Sequence, residues 1–248
     1  MGFIQNYLGE LAALSTALCW AITSTAFEHS AKKIGSLNLN MLRLLIGLVF
    51  LSIFTLITRG ILFPVDATQS EWFWLFMSGL VGIVIGDLLL VEAFVMIGSR
   101  ISMLIYSSVP PLSAIMAWMF LGETMTGMQM LGMFVTLSGI ASVILISEKG
   151  SKKMSFSQPI KGILFAFGGA LGQAAGYIIG KFGMADYDPF ASTQIRLIAG
   201  IVGFAILFTL KGHWPKFKAS FKRKDALASL TLGSFFGPFL GISLSLYA

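Results

Sequence analysis

Residues 39–58 read LNMLRLLIGLVFLSIFTLIT, a mainly apolar stretch whose single charge is Arg43. A helix of about 20 such residues crosses the roughly 30 Å hydrocarbon layer of a bilayer. Lipid offers no partner to an open backbone amide, so a stretch of this kind can cross only as a helix. The stretch therefore predicts a membrane-spanning helix.

The rest of the chain has the same character. Its 248 residues are 56% hydrophobic and 11% charged, whereas a soluble domain carries about 25% charge. The alternating pattern of an outer-membrane barrel strand is absent from the sequence. We expect an all-α integral membrane protein with eight spans. The predicted spans are Leu8–Phe27, Leu39–Thr58, Trp72–Ile97, Ile101–Leu121, Gly127–Ile146, Gly162–Gly180, Phe190–Leu210 and Ala226–Ala248.

The sequence repeats itself. A shift of 153 residues places Gly9 on Gly162, Arg43-Leu44 on Arg196-Leu197 and Gly47 on Gly200. A shift of 155 places Gly82 on Gly237 and Gly86 on Gly241. Spans 1–3 thus reappear as spans 6–8, and the repeat unit has five helices. An odd number of helices puts the two copies in opposite orientations, which is a transporter signature. The alternative is that apolar helices resemble one another by composition.

Several segments carry a resemblance to a known family. They are Trp20 with its small neighbours, Arg43-Leu44, the run Ser107-Ser108-Val109-Pro110-Pro111-Leu112 with Trp118, Leu121-Gly122-Glu123, and Gln129-Met130-Leu131-Gly132. In this order and spacing the chain resembles the EamA group of the drug/metabolite transporter superfamily. The resemblance implies ten helices in two inverted five-helix repeats.

The repeat also sets the expected domain limits. The first EamA-like repeat spans residues 8–147, a basic linker loop spans 148–159, and the second repeat spans 160–248. The second repeat stops at Ala248, which matches Ala93 in the first. We therefore expect a C-terminally incomplete sequence, with an eight-helix variant as the alternative.

Two carboxylates lie inside predicted span 3. An ionisable group at the bilayer centre costs about 2.5–3.5 kcal/mol, so each needs a partner or a wet cavity. Asp87 and Glu92 are five residues apart, about 140° around a helix, and do not share a face. Each is a candidate for proton coupling or for lining the substrate path. The alternative is a structural partner for a basic side chain or the backbone.

Further candidates for the substrate path lie on spans 2, 4 and 7. Arg43 and Arg196 are equivalent residues that either line the cavity or reach the lipid headgroups. Pro110-Pro111 should bend span 4 and free backbone carbonyls, which a membrane tolerates beside a cavity. We therefore include Pro110 and the preceding residues Tyr106, Ser107 and Ser108 among the candidates for the substrate path.

Glycines recur at four-residue spacing in spans 3, 6 and 8. We predict that they allow close helix packing, with sliding surfaces for alternating access as the alternative. They are Gly82, Gly86, Gly168, Gly172, Gly176, Gly180, Gly237 and Gly241.

The sequence argues against an enzyme. Cys19 is the single cysteine, and both histidines, His29 and His213, fall in predicted loops without ligand spacing. We expect no cofactor, no metal site and no catalytic residues. The net charge is +6, and the basic residues lie mostly between the apolar runs. They therefore indicate the orientation of the protein in a membrane and not nucleic-acid binding.

Basic residues predict the orientation. The segments after spans 1, 3, 5 and 7 hold thirteen lysines and arginines, and the opposite side holds Arg59 and Lys181. The positive-inside rule then puts the N-terminus outside a cell membrane. The resemblance implies the opposite, with both termini in the cytoplasm.

Together these features predict a secondary-active exporter of small metabolites, amino-acid-like compounds or drugs that works by alternating access, with proton coupling through an intramembrane carboxylate. Its partners are the lipid bilayer and a small-molecule substrate. The alternative is a non-transporting membrane scaffold or assembly protein with the same fold.

Overall fold

The computed structural model describes residues 8–147, 154–156, 159–184 and 187–241. Helices account for nearly all of them. In chain order the elements are α1 (Leu8–Ile34), α2 (Ser36–Arg59), α3 (Gln69–Gly79), the π-helical segment π1 (Leu80–Asp87), α4 (Leu88–Tyr106), α5 (Val109–Leu121), α6 (Gly127–Ile144), β1 (Leu145–Ser147), β2 (Met154–Phe156), α7 (Ile160–Met184), α8 (Pro189–Leu210), α9 (Trp214–Ser220), α10 (Lys224–Ser234) and the π-helical segment π2 (Phe235–Gly241).

Five helices in the described ranges are long and apolar enough to cross a membrane. They are Ser36–Arg59, Gln69–Tyr106 (α3, π1 and α4 together), Gly127–Ile144, Ile160–Met184 and Pro189–Leu210. The chain is therefore a multi-pass membrane protein. Predicted spans 1, 4 and 8 are not among the five, and the last of them extends into residues 242–248, outside the described part of the chain.

The chain forms two compact units. The first unit comprises Met1–Asp66 and Asp188–Ala248, and the second comprises Ala67–Tyr187. The first unit thus takes helices from both predicted repeats, and so does the second.

In the first unit, α2 packs against α8 and α1 packs against α10 and π2. Phe54, near the end of α2, stacks on Phe190 at the start of α8, with ring centroids 4.5 Å apart. The start of α2 lies instead beside His213, which follows α8. Helices α2 and α8 therefore run antiparallel.

In the second unit, α7 is the central helix. It packs against α3, π1, α4 and α5. One apolar core joins Ile97 and Ile105 of α4 to Ile140 of α6 and Ala166 of α7. Small side chains on α7 let its neighbours approach on several sides.

Gly98 interrupts the long helix Gln69–Tyr106. Its φ of 79° and ψ of 157° are not helical, and a positive φ is accessible to glycine because it has no Cβ. The interruption lies at the predicted boundary between span 3, which ends at Ile97, and span 4, which begins at Ile101, although helix resumes directly after Gly98.

Span 4 is predicted as one helix over Ile101–Leu121, but the structure divides this segment between two helices. The helix ends at Tyr106, and α5 begins at Val109 with both prolines in its first turn. The first N–H groups of a helix have no intrahelical acceptor, so proline is tolerated there. Ser107 and Ser108 keep right-handed helical φ and ψ, so Pro110 and Pro111 follow a tight turn that joins two helices.

Two predicted loops contain regular structure, and one residue predicted in a loop is helical. The segment Lys211–Asp225 contains the short helix α9, and the linker 148–159 contains β2, which pairs antiparallel with β1. His29 lies in α1, which extends to Ile34.

Both π-helical segments begin at equivalent positions. Leu80 and Phe235 are separated by 155 residues, the shift that aligns Gly82 with Gly237. A π-helical turn is rare and is often found at functional sites. The same backbone irregularity therefore recurs at equivalent positions of the predicted repeat.

Candidate substrate path

Glycines form the contact between α7 and the π1 segment in the second unit. A methyl group on Gly172 would lie 2.8 Å from the Cα of Gly86, and one on Gly176 would lie 2.7 Å from the Cα of Gly82. These distances are too short for any Cβ, so the two backbones touch directly. In lipid, such close approach gives the dispersion contact that holds helices together.

The first unit contains a contact at the equivalent positions. A methyl group on Gly237 of π2 would lie 2.6 Å from Cγ2 of Thr23 on α1. Gly237 is the equivalent of Gly82, and Thr23 is the equivalent of Gly176 by the shift of 153. Each unit therefore packs a helix of one predicted repeat on a helix of the other predicted repeat through the same pair of positions.

A hydrogen bond recurs in both contacts. In the second unit the Ser78 hydroxyl donates to the Gly176 carbonyl oxygen at 2.6 Å. In the first unit the Thr23 hydroxyl lies 2.8 Å from the Cys19 carbonyl oxygen of its own helix and 3.1 Å from the Gly233 carbonyl oxygen, so its one proton is shared between these two acceptors. Gly233 is equivalent to Ser78, so the same two positions are joined with donor and acceptor exchanged.

The remaining predicted packing glycines also lie at or near these contacts. A methyl group on Gly180 would lie 2.9 Å from the Ser78 hydroxyl, and one on Gly168 would lie 3.1 Å from Cδ1 of Leu89. Gly241 ends π2, and its surroundings lie outside the described side chains.

Asp87 and Glu92 lie where the helix changes its winding. Asp87 is the last residue of π1 and directly follows Gly86, while Glu92 lies in α4. Both side chains are half-buried within the second unit. Asp87 is thus attached to the part of the helix that touches α7 through its backbone.

The two equivalent arginines belong to the first unit. Arg43 is buried; its Nε donates to Oδ1 of Asn40 at 2.9 Å, and its guanidinium lies 5.6 Å from the ring centroid of Phe27. Arg196 is half-buried on α8. Arg43 is therefore held inside the unit by a neighbour on its own helix and a ring from α1.

Pro110 lines a cleft in the second unit, which we call the proline cleft. Its volume is about 360 Å³, and it lies between α5, α6 and the loop that joins them. Its lining residues are Pro110, Pro111, Ala114, Glu123, Thr124, Met125, Gln129, Gly132, Met133 and Thr136. Glu123 forms an ion pair with Lys181 of α7, and both side chains are about half exposed.

Tyr106, Ser107 and Ser108 are not among the residues that line the proline cleft. The hydroxyls of Ser107 and Ser108 donate to the carbonyls of Leu104 and Ile105 in their own helix. Tyr106 packs against the cluster formed by Val109, Ala170 and Ala174. The break in span 4 thus uses its serines to satisfy carbonyls at the helix end.

The family model of the EamA-like transporter family matches residues 7–145, more than half of the chain. The chain belongs to this family. It is accordingly a multi-pass membrane protein of a transporter family, as the resemblance of its sequence motifs implies. No curated protein shows significant sequence similarity to it.

Sequence reasoning missed several buried polar residues of this EamA chain, and one of them, Gln194, joins two helices of the first unit. Gln194 on α8 is fully buried, and its Nε2 donates to the Ser52 hydroxyl at 3.1 Å and to the Leu62 carbonyl at 3.0 Å. These bonds tie α8 to α2 and to the loop after α2. An amide inside an apolar span was the available signal, because a buried polar group requires a partner.

The described residues contain no group of three or more His, Cys, Asp or Glu side chains arranged to hold a metal ion.

Proposed function

We propose that this protein is a secondary-active transporter that exports small metabolites, amino-acid-like compounds or drugs by alternating access. Its transport core would be two inverted five-helix repeats in a cell membrane, with the N-terminus outside. The observation that carries the proposal is the recurring contact between helices of opposite repeats, joined by a hydrogen bond between equivalent positions.

The antiparallel pair α2 and α8 supports the inversion. These helices are equivalent by the shift of 153 residues, and Arg43 and Arg196 occupy matching places on them. Equivalent helices of an inverted repeat must run in opposite directions, whereas helices of a parallel repeat run in the same direction. The stacking of Phe54 on Phe190 fits the inverted arrangement.

The glycine contacts support movement between two states. Backbones that touch without side chains, as at Gly86 and Gly172, can shift along one another without rotamer changes. The π-helical turns beside them leave local backbone hydrogen bonds that can rearrange. We place the moving surfaces at these contacts.

We assign proton coupling to Asp87, with Glu92 as the second candidate. Asp87 directly follows Gly86, whose backbone touches Gly172 of α7, so we place the coupling group beside the moving contact. The substrate would then bind when Asp87 is in one charge state and leave when it is in the other.

Counterflow in proteoliposomes tests the proposed function. Vesicles loaded with an unlabelled solute should take up the labelled solute transiently when the solute is a substrate, because alternating access exchanges one molecule for another. The panel should contain amino acids, other small metabolites and cationic drugs, with Gly176→Leu as the inactive control. Exchange by the natural chain that the Gly176→Leu protein lacks supports the proposal. Absence of exchange across the panel would favour a membrane scaffold.

A further inference from the structure

A second cleft lies in the first unit, beyond the substrate path. It has a volume of about 360 Å³ and lies between the start of α2, the end of α1 and the segment that carries α9. Three cationic side chains line it, together with one histidine and the first residues of α2. We call it the basic cleft; its lining includes Lys33, Lys216, Arg223, His213, Gly35, Ser36, Leu37 and Asn38.

The start of α2 presents open hydrogen-bond donors to this cleft. Gly35 precedes the helix with a φ of 85°, and no side chain caps the helix there. Among the described residues, the N–H groups of Ser36, Leu37 and Asn38 have no acceptor, whereas that of Leu39 donates to the Gly35 carbonyl oxygen. The positive end of a 24-residue helix therefore faces the cationic side chains, and such an end favours an anion.

Asn38 provides an independent indication of a ligand. It lines the cleft, its side chain is only 4% exposed, and its Nδ2 donates to the Ile34 carbonyl oxygen at 2.7 Å. Its Oδ1 accepts no hydrogen bond within the described structure and has almost no accessible surface, so a ligand reaches it only after a movement of the side chain. A buried acceptor without a donor is costly, and a ligand that brings a hydroxyl group would remove that cost.

The cationic side chains around the basic cleft indicate which hydrogen-bond donor the ligand carries. Lys33 also bonds to Asp225, but Lys216 and Arg223 are exposed around the cleft. An ammonium group beside these cations would be repelled, so a hydroxyl is the donor that fits Asn38 while a phosphate fits the cations and the helix start. The combination is a phosphate ester that carries a free hydroxyl group.

The surroundings of the cleft favour a lipid as the source of that group. Helix α9 exposes the aromatic rings of Trp214 and, just beyond its end, Phe221, while Phe217 is buried against Phe208. Exposed aromatic residues beside lysines are typical of the headgroup level of a membrane. Basic pockets at that level bind anionic headgroups.

We propose that the basic cleft is a binding site for a phosphate ester with a free hydroxyl, supplied by the phosphoglycerol headgroup of an anionic lipid. The phosphate binds to the open N–H groups of α2, to Lys216 and to Arg223. The glycerol hydroxyl donates to Oδ1 of Asn38. An occupied site joins the start of α2 to α9.

Thermal unfolding of the purified full chain in detergent tests this site. A short-chain phosphatidylglycerol should raise the unfolding temperature in a saturable way, and phosphatidylcholine of equal chain length should not. The unfolding temperature is also measured with free glycerol phosphate and, separately, with inorganic phosphate. Stabilisation by the lipid at lower concentration than by free glycerol phosphate supports a lipid site, and equal responses would overturn the lipid as the source.

Three variants separate this site from general charge effects. We expect Lys216→Gln combined with Arg223→Gln to weaken binding at least about tenfold, since hydrogen bonds to charged groups contribute about that factor each. Asn38→Asp keeps the shape of the side chain and should weaken binding by repulsion. Lys218→Gln combined with Lys222→Gln removes the same charge from exposed residues outside the cleft lining and should bind normally. Equal binding by all of these proteins would overturn the proposal.

Discussion

The hydroxyl of Ser78 donates to the carbonyl oxygen of Gly176, and the residues equivalent to this pair, Gly233 and Thr23, are joined by a hydrogen bond of opposite direction. Composition alone does not produce such a match. Apolar helices resemble one another in residue type, but they do not thereby select the same two positions for an interhelical hydrogen bond. The recurrence therefore supports the predicted repeat.

The first prediction concerns this bond. Ser78→Ala should lower the free energy of unfolding by about 0.5–1.5 kcal/mol, because the buried hydroxyl is lost while the Gly176 carbonyl keeps its helical surroundings. Ser107→Ala is the matched control, since that exposed hydroxyl bonds within its own helix. Unfolding of the purified proteins by denaturant measures both. Equal losses in the two variants would remove any special role for the Ser78 bond.

The second prediction concerns the glycine contact. Gly176→Ala should destabilise the protein by about 1–3 kcal/mol, because the added carbon would lie 2.7 Å from the Cα of Gly82 and the backbones must separate. Gly139→Ala is the control, since nothing lies within 4 Å of its added carbon. If Gly176→Ala unfolds at the same temperature as the control, the two helices are not in backbone contact.

The third prediction concerns coupling. Asp87→Asn should abolish transport driven by a pH gradient but retain counterflow, because exchange of substrate for substrate needs no net proton movement. Glu92→Gln is the companion variant and should retain both activities. Full proton-driven transport by Asp87→Asn would exclude this residue as the coupling carboxylate.

The fourth prediction concerns orientation. A reporter inserted in the segment Lys211–Asp225 should report the cytoplasm, because its six basic residues resist translocation. A reporter inserted after Arg59 should report the opposite side. If the first reporter is found outside, the orientation usual for the family is correct and the orientation predicted from the basic residues is wrong.

The fifth prediction concerns pH at the basic cleft. Partial burial lowers the pKa of His213, and the charges of Lys216 and Lys211 lower it further. The imidazole also faces the ring of Phe208, and Lys33 and Arg223 line the same cleft. A bound phosphate opposes these charges and raises the pKa of His213, so binding takes up a proton.

Affinity for short-chain phosphatidylglycerol should therefore rise as pH falls through and below the ordinary histidine range of about 6.5. His213→Gln should remove this dependence, whereas His29→Gln should keep it. Binding that is independent of pH in the natural chain would show that His213 does not face the bound phosphate.

The sequence predicted the elements that depend on long apolar runs and on glycine. The stretch around Arg43 is a helix because its length and apolarity leave no alternative in lipid. The break at Gly98 was visible because glycine follows a long apolar run and precedes a charge. The shift between Gly82 and Gly237 identifies equivalent positions from the sequence alone.

Other features depend on tertiary contacts that one sequence does not reveal. Ser107 and Ser108 end a helix because the two following prolines cannot donate to it, yet proline alone does not distinguish a bend from a break. The π-helical winding at Leu80 has no residue signature. The basic cleft forms because α9 lies beside the start of α2, and that contact joins segments far apart in the chain.

The central claim is that the two halves of this EamA protein are inverted. Single cysteines at Lys32 and Lys181, in a chain with Cys19→Ala, test it most directly by labelling with a membrane-impermeant thiol reagent applied to one side of sealed vesicles. These residues follow the equivalent first and sixth predicted spans. If the two halves are inverted, each cysteine reacts from one side only, and the two sides are opposite. Reaction of both cysteines from the same side would contradict it.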